Sequence, residues 1–485
     1  MRPCAFRPQP GFRRHGVSSI VQTMFSFLST HSVRRRFLLR IVPVFLAALV
    51  IRILCAWPAL SSPDLLMRLD TVTYLSPAQA FAENGRMSVE PGVEELAVQR
   101  PPGYIVFLAA LIVFGCSATG FGIAGCIVDA LTVFPVALIG KNLAGRRAGF
   151  WAAGLYALNL TALVNAPLLI ADTLFGFLCA CQVLCFVRTW RTKRLSAFLC
   201  GTVFAAAAVL TKPANLPVLL FLIPAVLGPV LLRSWKKAAC AILLTALVFC
   251  AMVMPWLLRN HAAGAGFALD RNTGFTARHN TAAILARVNH SGDYIEDDKL
   301  IEEAAQAFAA EPERYASVPE QEKWYLDRYR ETILKYPFAT AATHLFQVWI
   351  LLPDLPDFLQ NLGLRSGDRG TMEVLRRDGL LAAFRHYMDG SYAAAFLAMP
   401  FLLVSGALCA LTAAGAWIYA RRRRWTVLTL FAVFVLYYLA APGPVVVPRY
   451  QIPALPFACA VAGAFISVCG IRRWRKRRSC PRCNP

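Results

Sequence analysis

Seven side chains at scattered positions have the types that phosphate and hydroxyl chemistry needs. Asp70 and Tyr74 follow the first long apolar run, and Arg100 precedes a short one. Asp172 stands inside the run APLLIADTLFGFL. Lys212, Arg259 and Arg449 each border a further apolar run. A carboxylate can take a proton from an attacking hydroxyl. Guanidinium and ammonium groups can hold a phosphate and stabilise the charge that grows as it leaves. Each cation alone is equally an interfacial anchor whose head reaches water along an apolar stem, and Arg259 and Arg449 fit that description best. Asp172 fits it worst, because nothing in its apolar surroundings calls for an acid. Arg52 and Asp129 lie deeper in their runs, and charges there are rare and default to a function. Their matching depth, roughly 12–14 Å from one surface at 1.5 Å per residue, favours a structural pair.

The elements that must carry these groups are membrane spans. The chain has 485 residues, of which 57% are hydrophobic and 16% charged. A soluble domain carries about 25% charged residues, so this one cannot cover a surface in water. The net charge of +23 is therefore not the footprint of a nucleic-acid binder. Runs long enough to cross a bilayer, about 20 residues each, lie at 41–60, 120–140, 149–166, 168–187, 195–211, 214–232, 238–258, 392–418, 425–441 and 451–470. The expected fold is an all-α polytopic membrane protein of about ten helices, with the pair over 149–187 hard to divide.

Threading ten spans puts 1–40, 141–147, 188–194, 233–237, 421–424 and 471–485 on one side. These segments hold 29 of the 50 Lys and Arg and not one Asp or Glu. The positive-inside rule makes that side, with both termini, cytoplasmic, and anionic lipid headgroups are the partner of the charge. Twenty-five of the 27 acids fall in the two outside segments, 61–119 and 259–391; the other two are Asp129 and Asp172. Acid–base chemistry is thus confined to the outer face or the membrane.

This divides the chain into a basic N-terminus (1–40), a membrane core (41–258) with its first outside loop (61–119), a large outside loop (259–391), C-terminal spans (392–470) and a basic tail (471–485). Segments 103–116 and 338–352 are too short to cross and read as interfacial helices. Residues 294–310 and 319–335 read as amphipathic helices of the large loop, the second with Ser317 as N-cap. Met24, followed by Arg34, Arg35 and Arg36, is as good a start as Met1. The fifteen Cys lie mostly in spans, as small apolar filler. Cys480 and Cys483 lack the partner pair that a structural zinc site needs, so no metal site is expected.

The outer-face set suits a lipid-borne sugar phosphate, with its phosphate at headgroup level and its sugar just outside. With Arg and Lys to hold the phosphate, no cofactor is required and a divalent metal is not obligatory. A transporter would place its charges near the midplane. A lipid or polysaccharide transporter or flippase is the alternative, and a structural subunit of an envelope assembly is a third.

The order of LDTVTYLSPAQAFAENG, VQRPPGYIVFLAALIVFG, PLLIADTLFGFL, VLTKPANLPVLL, MPWLLRNHAAGAGF and VPRYQIPALPF resembles the GT-C superfamily of polyprenyl-phosphate-sugar glycosyltransferases. The resemblance runs over roughly 38–470 and is nearest the bacterial protein O-mannosyltransferase-like and lipid A aminoarabinose transferase-like branch. It implies a GT-C-type bundle and a bacterial inner-membrane enzyme with a periplasmic site. A sugar would pass from a polyprenyl phosphate to a lipid, glycan or protein hydroxyl, with inversion. It implies Asp70 as catalytic base, Asp172 as the second acid and Arg100 as the contact to the lipid phosphate, with Lys212 and Arg449 matching later basic positions. By their own place at the outer boundary Arg259 and Tyr74 join this substrate- and phosphate-binding set. Some members carry two adjacent acids where this chain has Asp70 followed by Thr71. The WWD signature of oligosaccharyltransferases is absent, which disfavours transfer of a preassembled glycan.

Overall fold

The computed structural model describes residues 32–87, 99–219, 234–345, 351, 353–364, 371–388, 391–444 and 447–478. These residues form helices joined by turns, with no strand among them. Five helices are long and apolar enough to cross a membrane: Arg36–Ser61, Ala118–Ala144, Asp172–Thr192, Trp235–Ala262 and Phe396–Arg421. Pro102–Val113, Leu195–Thr211, Trp425–Ala440 and Leu455–Cys469 are apolar but shorter. The expected all-helical membrane fold is present, and five of the ten anticipated spans meet this length.

The differences have local causes. The expected span at 149–166 is divided. A helix runs over Arg146–Ala157, Asn159 then caps a short helix, Leu160–Asn165, by accepting the Ala162 amide, and residues 166–171 form turns. Pro167 favours such a break, since proline removes a backbone donor and crowds the preceding turn. Asp172 is consequently the first residue of its helix, Asp172–Thr192, and not a residue buried one turn inside a span. The run at 120–140 likewise bends at Thr132, between Ala118–Leu131 and Val133–Ala144. Most of the expected span at 214–232, the end of the expected helix 338–352, most of 1–40 and the Cys480–Cys483 pair lie outside the described residues.

The main core gathers Phe186, Phe198, Phe434 and Phe457 with many alanines and valines from the bundle helices. The large outside loop packs its own helices, Thr273–Asn289, Asp293–Ala310 and Val318–Lys335, close to the two amphipathic segments anticipated. Ser317 does precede the last of these in extended conformation but makes no cap. Its hydroxyl instead donates to Glu320 at 3.0 Å.

Candidate functional site

Short-range pins bring the distant segments together. The first loop leaves the Arg36–Ser61 helix through a 3-10 turn, Pro63–Leu66. There the Leu66 carbonyl accepts the Leu169 amide at 3.0 Å. The buried Thr71 hydroxyl donates to the Leu169 carbonyl at 3.0 Å and accepts the Arg68 amide at 2.9 Å. Thr71, the residue beside Asp70, thus ties the Asp70 turn to the segment that delivers Asp172. Two glycines permit the remaining approaches. A Cβ on Gly103 would lie 2.6 Å from Thr211 Oγ1 and 2.8 Å from the Leu210 carbonyl; one on Gly176 would lie 2.6 Å from Ile452 Cγ2. The first contact sets the Arg100 segment against the end of the helix that precedes Lys212. The second sets the Asp172 helix against the Arg449–Tyr450 turn.

Asp70 is held by two guanidiniums. Arg100 Nη2 donates to Oδ1 at 2.9 Å and Arg449 Nη2 to Oδ2 at 2.7 Å. Arg100 is itself aimed, since its Nε donates to Thr73 Oγ1 at 3.0 Å and the group lies 5.2 Å from the Tyr74 ring. Burial raises the Asp70 pKa, but the charges of Arg449 and Arg100 outweigh it and hold the carboxyl below the ordinary range. Lys212 Nζ donates to Asp172 Oδ1 at 2.7 Å. As the first residue of its helix, Asp172 also meets the positive end of the helix dipole. Lys212 and Arg449 flank one ring, Tyr450, at 5.4 and 5.8 Å. The two ion-pair systems thus meet at Tyr450.

A cavity of about 620 Å³ opens against this cluster, lined by Tyr74, Arg100, Asp172, Lys212 and Tyr450 on the bundle side. Asp70 and Arg449 are not on its wall. They stand directly behind it, bound to Arg100 and beside Tyr450, and the Asp70 side chain is 35% exposed. Arg259 is not brought to the cavity; it sits over the Trp256 ring at 5.0 Å and donates to Asn260 at 3.0 Å. Among the described residues no three His, Cys, Asp or Glu side chains converge in metal-binding geometry.

The opposite wall comes from the large outside loop and was not foreseen in residue detail. Asp270, Asn272, His279, Asn280 and Tyr329 line it. Burial holds the Asp270 carboxyl above the ordinary range against the Asn272 amide and Arg100. Asn272 Nδ2 donates to the Gln99 carbonyl at 3.2 Å, fastening this wall to the Arg100 segment. Nothing in spacing marks Asp270 among the many acids of its loop. The buried Asn280 Oδ1 has no hydrogen-bond partner.

Arg52 and Asp129 form the expected pair. The Arg52 Nε donates to Asp129 Oδ2 with both side chains shut off from solvent. Tyr156 donates its hydroxyl to Asp129 Oδ1 at 2.7 Å, and Arg52 Nη1 reaches the Ala48 and Ala157 carbonyls at 3.1 and 3.2 Å.

Residues 99–258 match the family described as Dolichyl-phosphate-mannose-protein mannosyltransferase, about a third of the chain. No curated protein matches. Among solved structures, the chain is similar to ArnT from Cupriavidus metallidurans bound to undecaprenyl phosphate (14% identity, 90% of this chain and 61% of that one, TM-score 0.48). It is also similar to the oligosaccharyltransferase AglB from Archaeoglobus fulgidus in complex with an inhibitory peptide and a dolichol-phosphate (12% identity, 92% and 52%, TM-score 0.47). The apo form of the Archaeoglobus fulgidus oligosaccharyltransferase gives 14% identity, 91% and 51%, and a TM-score of 0.49. The chain thus spans about half to three-fifths of the length of the solved structures it matches. Over the stretch that carries Arg100, Asp172 and Lys212, this chain is similar to the dolichyl-phosphate-mannose-protein mannosyltransferases.

Proposed function

We propose that the protein is a membrane glycosyltransferase that moves a sugar from a polyprenyl-phosphate donor to an acceptor hydroxyl. The face is periplasmic, in a bacterial inner membrane, with both termini in the cytoplasm. One observation carries the reading: Arg100, Asp172 and Lys212, from distant segments, line a single cavity, and Asp70 and Arg449 stand behind it, joined to Arg100 through the Asp70 carboxylate. The family match over 99–258 adds support.

The resting arrangement suggests how donor binding and catalysis are linked. With both oxygens engaged by guanidiniums and a depressed pKa, Asp70 is a weak base. A donor phosphate offers Arg100 and Arg449 a competing, bidentate partner. As they turn to it, Asp70 loses the charges that held its pKa down and becomes able to take the acceptor proton. The acceptor oxygen then attacks the anomeric carbon, the bond to phosphate breaks, and configuration inverts. Lys212 adds charge to the leaving phosphate, and Asp172 orients the acceptor or the surroundings of Asp70.

Asp172 lines the cavity where Asp70 does not, so it is the competing choice for the base. The test uses the purified full chain in liposomes with a labelled undecaprenyl-phosphate sugar. Asp70→Asn is expected to lower transfer by about 10²–10⁴, the usual contribution of a general base, and Asp172→Asn by less. The reverse order would hand the proton to Asp172. Near-normal transfer in both variants would overturn the site. Mass spectrometry of envelope lipids and glycans from a deletion strain would identify the acceptor.

The transport alternative would rest on Arg52 and Asp129. That pair is sealed from solvent and is not on the wall of the cavity, which favours the transferase.

A further inference from the structure

The helix that begins at Asp172 has a second cavity at its other end. This one, of about 530 Å³, is lined by Val187, Trp190 and Arg191 from that helix, and by Arg422, Arg424 and Tyr419 around the Arg421–Arg424 turn. Val187 and Arg191 follow Asp172 by 15 and 19 residues. At 1.5 Å per residue they lie roughly 22–28 Å away, close to the thickness of a bilayer's hydrocarbon core. The second cavity therefore belongs to the opposite interface, the one whose loops carry only basic residues.

Three guanidiniums and no carboxylate line it. Arg191 is fixed at the rim, donating from Nη1 to the Asn142 carbonyl at 2.8 Å and to its side-chain oxygen at 3.3 Å. Among the described residues no acid lies within ion-pair distance of Arg422 or Arg424. Beside the cations stand Trp190 and Tyr419, ring types that favour the headgroup level. Apolar side chains, Leu430, Phe465 and Val468, complete the wall. Cations without an acid partner, aromatic rings and apolar side chains on one cavity wall match a molecule with a phosphate head and a hydrocarbon tail.

We propose that this cavity binds one anionic glycerophospholipid of the surrounding bilayer. Its phosphate would lie on Arg191, Arg422 and Arg424, and one acyl chain against Leu430 and Phe465. This inference does not depend on the glycosyltransferase reading.

The test is native mass spectrometry of the delipidated full chain, titrated with phosphatidylglycerol and with phosphatidylcholine of the same acyl chains. One phosphatidylglycerol is expected to bind in preference. R422Q/R424Q should weaken it by roughly tenfold or more, the scale of removing two interfacial cations. R191Q should weaken it too. R421Q/R423Q removes the same charge from the same turn at positions off the cavity wall and should change binding by less than about twofold. Unchanged melting without lipid checks that each variant folds. Equal binding of phosphatidylcholine would overturn the proposal, as would equal loss in R421Q/R423Q, which would mean diffuse attraction. So would displacement of the lipid by inorganic phosphate, which would mean a site for the free ion.

Discussion

Two clusters of charge in this protein use the same residue types and differ in everything else. Arg52 and Asp129 are sealed in the bundle, and three further hydrogen bonds, from Tyr156 and to two carbonyls, engage Asp129 Oδ1 and Arg52 Nη1, leaving Arg52 Nη2 without a partner. Asp70 and Asp172 share their cations with a cavity and with water. The buried pair has one stable arrangement, because leaving either charge alone in that medium is costly. The outer cluster is open to exchange, since water or an anion that reaches the cavity could replace a partner of Arg100 or Lys212. The contrast is between fixed charge, which holds the bundle, and exchangeable charge, which the proposed transfer would need.

The sharpest test of that contrast is to break the buried pair. Asp129→Asn strands the Arg52 charge and is expected to cost about 3–5 kcal/mol of stability. This would be read by chemical unfolding in detergent or as loss of folded yield. The triple variant Arg52→Met, Asp129→Leu, Tyr156→Phe removes every polar member together and should recover most of that loss. If it folds well but has lost activity, the pair is more than structural and the contrast fails. Asp70→Asn should behave in the opposite way. Its carboxylate is about a third exposed and the neutral amide that replaces it can still accept from the guanidiniums, so unfolding should shift by less than in Asp129→Asn while transfer collapses.

A smaller effect separates the resting cluster from the loaded one. Asp70 is ionised at neutral pH and its folded pKa lies below the ordinary carboxylate range. The acid limb of kcat/KM, which reports the free enzyme, should therefore fall below about pH 4. The limb of kcat, which reports the loaded enzyme, should sit higher, because the guanidiniums have moved to the phosphate. Coincident limbs would show that donor binding leaves the guanidiniums on Asp70. The stability term has the sign of a depressed acid. It is present above the unfolded pKa of about 4 and is lost as pH falls through the folded value.

The legibility of these features in the sequence follows their range of interaction. Spans are set by solvent over 20 residues at a time, so the runs at 41–60 and 238–258 announce themselves. The Arg52–Asp129 pair was readable because both charges stand at matching depth in apolar runs. Asp70, Arg100, Asp172, Lys212 and Arg449 are exceptions to their surroundings, and that is why they could be picked out. The end of the helix at Ala157 was not readable. It depends on Asn159 capping one turn and on Pro167, within a stretch whose apolar content never falls. Asp270 and Asn280 were not readable either, because a helical loop rich in ordinary solvated charges hides the few that face inward. Which cation goes to which acid is a matter of tertiary contact: Arg449 is 379 residues from Asp70, and no local pattern encodes that.

A last test concerns an acid joined to the Asp70 turn through Asp357 and Arg68. Asp354 is buried, and Asn165 Nδ2 donates to it at 3.1 Å. Burial and the neighbouring Asp357 push its pKa up, against the pull of Asn165, Arg68 and Arg449. Asp357 in turn accepts from Arg68 at 3.1 Å, two residues before Asp70. An acid whose folded pKa is raised destabilises the fold as pH climbs from the unfolded value of about 4 toward the raised one. Asp354→Asn keeps an oxygen for Asn165 and removes the titration. The variant is expected to match the parent at pH 4, where both carry a neutral group, and to exceed it in melting temperature at pH 8. A parent and variant that keep the same difference at both values would mean that Asp354 is charged throughout. In that case it behaves like Asp129, an acid fixed by its partners, and the boundary between fixed and exchangeable charge runs closer to the site than the burial of Asp354 alone implies.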